Sequence, residues 1–209
     1  MNLSHETRRA FFDRAAKRWK EKLSADDARY LQHVVSLVDT PEELGKRVLD
    51  IGCGTGVLFP FLTDWEVTAF DCSEEMLSCA RKKHAPHVVE YVKGDAHQLP
   101  FPDASFARVM MFSIVPHLED ANKALSEVRR VLKPNGTISI IHLYNAETIT
   151  TIHANIGGAV AHDRLPELSE LKSLMLSLNF NICFEDAHER MTLICRKPQI
   201  TKPSLNLFG

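Results

Sequence analysis

From residue 48 onward the chain alternates two hydrophobic periods, and that alternation is the strongest limit on its fold. The short apolar runs VLDI, EVTAFD, HVVEYVKGD, FARVMMFSIV and TISIIHLY are separated by stretches with helical spacing, from about Val57, from about Glu74 and over 121–132. Strands separated by helices imply a parallel arrangement buried on both faces. Past residue 166 one more helical pattern, ELSELKSLMLSLN, precedes FNICFED and RMTLICRK, whose short link permits only an antiparallel pair. The pattern predicts an α/β fold with a doubly wound, mainly parallel seven-stranded sheet and an antiparallel C-terminal hairpin.

The first forty residues read instead as two helices. FFDRAAKRWKEKL sets Phe12, Ala15, Ala16 and Trp19 at helical spacing, and Ser24 is placed to cap a second helix with the apolar line Tyr30, Val34, Leu37 and Val38. Residues 1–40 are thus a helical addition to the same domain, 41–197 the core, and 198–209 a tail without any period. A length of 209 residues suits one domain, and 44% hydrophobic residues can fill a single core. The formal charge of −2 supplies no basic field for nucleic acid. No apolar run reaches the roughly 18 residues of a membrane span, and the charged start has no signal-peptide core, which predicts a cytoplasmic protein. Cys53, Cys72, Cys79, Cys183 and Cys195 are odd in number and widely spaced, so they read as reduced thiols rather than as a disulfide framework or a metal pair.

In an open parallel sheet, ligands bind beyond the carboxyl ends of the strands. The stretch VLDIGCGTG puts Gly52, Gly54 and Gly56 there, at the first strand-to-helix turn, where backbone amides can approach a ligand and Thr55 is placed to cap the next helix. Asp71 closes the second strand nineteen residues after Gly52, where a carboxylate can accept hydrogen bonds from both ribose hydroxyls. The ligand is therefore a nucleoside. A dinucleotide fingerprint, G-x-G-x-x-G, needs a third glycine at position 57, where this chain has Val57.

Four ordered pieces, VLDIGCGTG, Asp71 in AFDCSEEML, GDAHQLPFPDASF and RRVLKPNGTISI, resemble the class I S-adenosylmethionine-dependent methyltransferases, in particular the small-molecule group with the quinone-biosynthesis C-methyltransferases. The resemblance covers residues 48 to 142 and implies a Rossmann-like methyltransferase sheet with S-adenosyl-L-methionine as cofactor and S-adenosyl-L-homocysteine as product. It implies that Asp50, Gly52, Gly54 and Gly56 line the methionine end and that Asp71 holds the ribose. Asp95 and the backbone at Ala96 would face the adenine, and Cys72, Met76 and Phe112 would complete the donor site. The helix from Phe11 to Trp19 looks like an N-terminal lid, with Trp19 against the donor. Ala107 stands where related sequences carry an acid, and Asn135 replaces a glycine of KPGG; asparagine tolerates left-handed turns.

An activated sulfonium donor leaves the protein mainly to align the reacting atoms and restrain water, with an acid-base group only where the acceptor must lose a proton. His117 after the fourth strand, His142 late in the fifth and His153 in the following connection are the candidate catalytic groups on the acceptor side. A helix-positioning role competes for His117, and a core role for His142. The segment 144–166 contributes His153, Asn155, His162, Asp163 and Arg164 with a Gly157-Gly158 hinge, and in the resembled family it covers the acceptor. A metal held by His142, His153 and His162 or Asp163 is a further reading, but spacings of eleven and nine match no compact ligand pattern, and no metal is assigned. The expected partner is a small-molecule acceptor. An NAD(P)-dependent oxidoreductase and a non-catalytic S-adenosylmethionine-binding module are the alternatives.

Overall fold

The computed structural model describes residues 5–19, 23–84 and 88–199. Its seven strands are β1 (Arg47–Ile51), β2 (Glu66–Asp71), β3 (Val88–Lys93), β4 (Phe106–Phe112), β5 (Leu132–His142), β6 (Asn181–Asp186) and β7 (Met191–Arg196). They form one sheet in the order β3-β2-β1-β4-β5-β7-β6. The pairings among β1 to β5 are parallel, and β7 runs antiparallel to both β5 and β6. The short link after β6 forces that antiparallel return, in agreement with the expected hairpin.

Six α-helices accompany the sheet: α1 (His5–Ala15), α2 (Ala25–Ser36), α3 (Glu74–His84), α4 (Ala121–Val131), α5 (Ala146–Ile156) and α6 (Leu168–Ser177). Alternate side chains along each strand feed two separate cores. Leu49, Ile51, Val109, Met111, Ile138 and Ile140 pack with α4 and α6, whereas Val48, Val67, Ala69 and Met110 pack with α2 and α3. Burial on both faces explains why all seven residues of β4 are buried. Ser24 caps α2 in a reciprocal capping box with Asp27, and Asp120 caps α4 through the Lys123 amide. Asn135 adopts φ 63, the left-handed turn that an asparagine accommodates.

Two expectations fail locally. No α-helix begins at Val57; the chain makes a turn and a short 3₁₀ helix over Phe59–Phe61. A helix starting there would need the amide of residue 60 to reach the Gly56 carbonyl, but Pro60 has no N–H, and Phe59 N–H donates to that carbonyl at 3.3 Å instead. Thr55 accordingly caps no helix, and its hydroxyl lies 3.3 Å from Lys83 Nζ. The segment 144–166 is also more ordered than a polar connection, since it contains α5, capped by Asn145 accepting from the Thr148 amide. The tail, from residue 200, lies outside the described residues.

Helix α5 closes over the carboxyl end of β5, and this buries His142 completely. Neither ring nitrogen of His142 has a hydrogen-bond partner among the described residues. Burial, assisted by the neighbouring His117 and His153, pushes its pKa down to about 3, so the ring is neutral. The unfolded chain takes up a proton near pH 6.5 that the fold excludes. Stability is therefore untouched above that value and declines as the pH falls from 6.5 toward 3. By pH 5 the loss amounts to about 2 kcal/mol. Urea unfolding at pH 7 and pH 5 should show that extra loss in the wild type relative to His142→Leu; equal losses in the two proteins would contradict it.

Candidate functional site

The sheet order reverses between β1 and β4, so the loops leaving these two strands diverge and open a crevice at their carboxyl ends. The β1 loop carries the glycines. Gly52 has φ 69 and lies so close to Ile114 that a Cβ would collide with that side chain, whereas Gly54 has φ 52 with open space beside it. The first glycine thus permits close packing of two loops, and the third position of the loop keeps a bare backbone edge toward the crevice.

Asp71, at the end of β2, fastens this loop. Its Oδ2 accepts the Gly54 amide at 2.9 Å and its Oδ1 accepts the Ser73 amide at 2.8 Å. Burial raises the Asp71 pKa, with the Ser73 and Gly54 amides acting in the other direction. Ser73 in turn starts α3: its hydroxyl accepts the Met76 amide at 3.1 Å and donates to Asp13 of α1 at 2.6 Å. The N-terminal helix is therefore tied to the same strand end that presents Asp71.

These elements line a partly open cavity of about 130 Å³. Gly52, Gly54, Asp71, Cys72, Met76, Asp95, Ala96 and Phe112 all line it, and Trp19 closes it from the N-terminal segment. Asp95 is fixed by His97, whose amide and Nδ1–H both donate to Asp95 Oδ1, while His97 Nε2 accepts the Asp120 amide at 3.1 Å. Ser113, just past β4, also lines the cavity and holds φ 56, a left-handed conformation uncommon outside glycine.

Four expected site residues lie elsewhere. Asp50 is buried within β1 and does not reach the cavity, because its neighbour Ile51 takes the lining position. Gly56 packs on Phe59 and His84, where a Cβ would come within 2.7 Å of the Phe59 ring. His142 is enclosed in the core by α5, and His153 is buried on α5 and lines no part of the cavity, so neither faces it as the positional argument expects.

His117 does line the cavity, in company with Asp163 and with Arg8, which carries no local sequence signal. Its Nδ1–H donates to Asp163 Oδ2 at 2.7 Å, and Arg8 of α1 donates to Asp163 Oδ1 at 2.7 Å. His153 Nδ1–H donates to the Asp163 backbone carbonyl at 2.8 Å and its ring lies 4.9 Å from that of His117. The Asp163 side chain is 2% exposed. Burial works to raise its pKa, and the bonds from His117 and Arg8 overcome that, leaving it below the ordinary carboxylate value. Burial lowers the His117 pKa against the pull of Asp163, so the imidazole is neutral. Phe12 packs edge-on to both Trp19 and His117, with centroids 6.1 and 5.1 Å away. Among the described residues, no group of three or more His, Cys, Asp or Glu is placed to hold a metal ion.

Comparison with known proteins agrees with this geometry. A family described as "Methyltransferase domain" matches residues 49–140. A malonyl-[acyl-carrier protein] O-methyltransferase of Erwinia pyrifoliae is 44% identical over 97 residues, which cover 44% of this chain and 35% of that protein. The chain thus spans only about a third of that relative, 35% of its length. A demethylmenaquinone methyltransferase of Thermus thermophilus is 29% identical over 187 residues, covering 76% of this chain and 84% of that protein. Among solved structures, a chain of the complex between the Haloferax volcanii Trm112 methyltransferase activator and a putative methyltransferase is similar with a TM-score of 0.73. It is 19% identical, over 90% of this chain and 98% of that one, a likeness of fold. The glycine loop and Asp71 at one crevice, the seven-stranded sheet ending in an antiparallel pair, and these matches make the chain similar to methyltransferases, in sequence over residues 49–140 and in fold beyond them.

Proposed function

We propose that this chain transfers the methyl group of S-adenosyl-L-methionine to a small-molecule acceptor and releases S-adenosyl-L-homocysteine. The observation that carries the reading is the Asp71 carboxylate inside the cavity, beside the open backbone edge at Gly54. After accepting the Gly54 and Ser73 amides and a bond from the Cys72 thiol, the Asp71 carboxylate retains acceptor capacity for the ribose hydroxyls. Asp95 and the backbone at Ala96 supply polar groups for the adenine, and Met76 and Phe112 supply apolar walls. The residues present therefore fit the donor.

The donor brings an already activated methyl group, which needs alignment more than acid-base assistance. Trp19, Phe12 and Arg8 close the cavity from the N-terminal side and keep water from the reacting atoms. This supports α1 with Trp19 as a lid, whereas α2, the rest of the expected 1–40 unit, packs into the core, and it supports 144–166, which delivers Asp163 and His153, as the segment that shapes the acceptor side. A nicotinamide dinucleotide is disfavoured by Val57, which occupies the place of the third glycine and forms part of the cavity wall. A formal charge of −2 favours a small acceptor over nucleic acid. The free thiols of all five cysteines favour a reducing, cytoplasmic setting, and no described helix is long and apolar enough to cross a membrane.

Isothermal titration tests the donor site. S-adenosylmethionine and S-adenosylhomocysteine should both bind the wild type, and NAD should not. Folded Asp71→Ala should bind both roughly ten- to a hundredfold more weakly, the loss expected for hydrogen bonds of about 1.5–3 kcal/mol to a charged partner. Preferential binding of NAD, or an unchanged Kd in Asp71→Ala, would contradict the assignment.

A further inference from the structure

We infer that His117 is the general base for an acceptor that reacts through a hydroxyl group, with Asp163 as its positioning residue and Arg8 of the N-terminal helix completing the arrangement. The inference deepens the methyl-transfer reading and rests on it. Four elements converge on one imidazole at the cavity wall: Asp163 from the segment before α6, Arg8 from α1, His153 from α5 and His142 from β5. The last two are a buried histidine bonded to the Asp163 carbonyl and a neutral core histidine, so among the described residues Asp163 is the anion that faces His117.

A carboxylate bonded to Nδ1–H fixes the tautomer and leaves Nε2 as the basic nitrogen. Among the described residues Nε2 of His117 has no partner, yet it is not among the buried polar atoms left without one, so it reaches the open space of the cavity. His142, whose two nitrogens are both sealed off, shows the contrast. Arg8 helps to keep Asp163 charged behind this wall: its Nε and Nη2 both bond the carboxylate, at 3.2 and 2.7 Å to Oδ1. The bonds that hold the N-terminal helix down are thus the bonds that align the base.

In the step this arrangement serves, the acceptor oxygen gives its proton to Nε2 of His117 as it bonds to the donor methyl carbon. The carbon–sulfur bond breaks and its electron pair stays on sulfur, which becomes a neutral thioether. The imidazolium, stabilised by Asp163, then releases the proton to water. Charge balances: a sulfonium and a neutral alcohol give a thioether, an ether and one proton. Acceptors with no proton to lose at neutral pH, carboxylates among them, gain nothing from such a base, which points to phenols or enols as the substrate class.

The test has two arms on the full-length protein. In ¹⁵N NMR with S-adenosylhomocysteine present, His117 should be the Nδ1–H tautomer and titrate below 6.5, and Asp163→Asn should lower that value further; the opposite tautomer, or no response to Asp163→Asn, overturns the proposal. In the second arm a panel of phenols and catechols is screened with labelled S-adenosylmethionine. His117→Ala should keep S-adenosylhomocysteine affinity within about twofold while turnover falls roughly 10²–10⁴-fold. Arg8→Gln should lower kcat by about tenfold with less effect on donor affinity. Turnover that survives His117→Ala, or a wild type that methylates none of the hydroxyl compounds, overturns it as well. Failure of the donor reading would be separate: the wild type would then not bind S-adenosylhomocysteine, while the tautomer of His117 would still read as stated.

Discussion

A parallel sheet whose strand order reverses has to leave a crevice between two diverging loops, and everything about this site follows from that reversal between β1 and β4. The crevice edge is backbone on the β1 side, where Gly52 packs under Ile114 and Gly54 stays open. On the β2 side it is the Asp71 carboxylate, which takes the Gly54 and Ser73 amides and so joins the two neighbouring strand ends into one rigid wall. The same serine bonds Asp13, and through it the sheet positions the helix that covers the site.

The opposite wall is held by charge rather than by strand geometry. Asp163 gathers Arg8 from α1, the His117 ring and the His153 ring, the last through its backbone carbonyl. An ion pair this buried stabilises little beyond its desolvation cost, but removing one partner leaves a costly unpaired charge. Its consequence is one of arrangement: α1 and the segment before α6, 155 residues apart in the chain, are locked at one place beside the cavity.

The strands were legible because two-sided burial leaves near-continuous apolar runs such as FARVMMF, and the same logic made the glycine loop and Asp71 stand out. Val57 onward misleads because the apolar spacing looks helical, while the deciding fact is the missing amide of Pro60 at one hydrogen bond. His142 and His153 were placed by the rule that strand ends face the crevice. That rule fails where a helix such as α5 caps the end, and the polar, threonine-rich stretch AETITTIHANI gives only a weak helical period. Arg8, Ser113 and the bond from Asp163 to His117 have no local signature. They are pairings across the fold or a strained backbone angle, properties that appear only once the chain is in three dimensions.

We propose that the N-terminal helix, whose Arg8 and Phe12 line the cavity beside Trp19, closes over a bound donor. Hydrogen exchange over residues 6–19 with and without S-adenosylhomocysteine measures it directly. The account predicts slower exchange across this stretch, strongest around Phe12, when the ligand fills the cavity beneath Phe12 and Trp19. Identical protection in the two states, in protein shown by titration to bind the ligand, would contradict it.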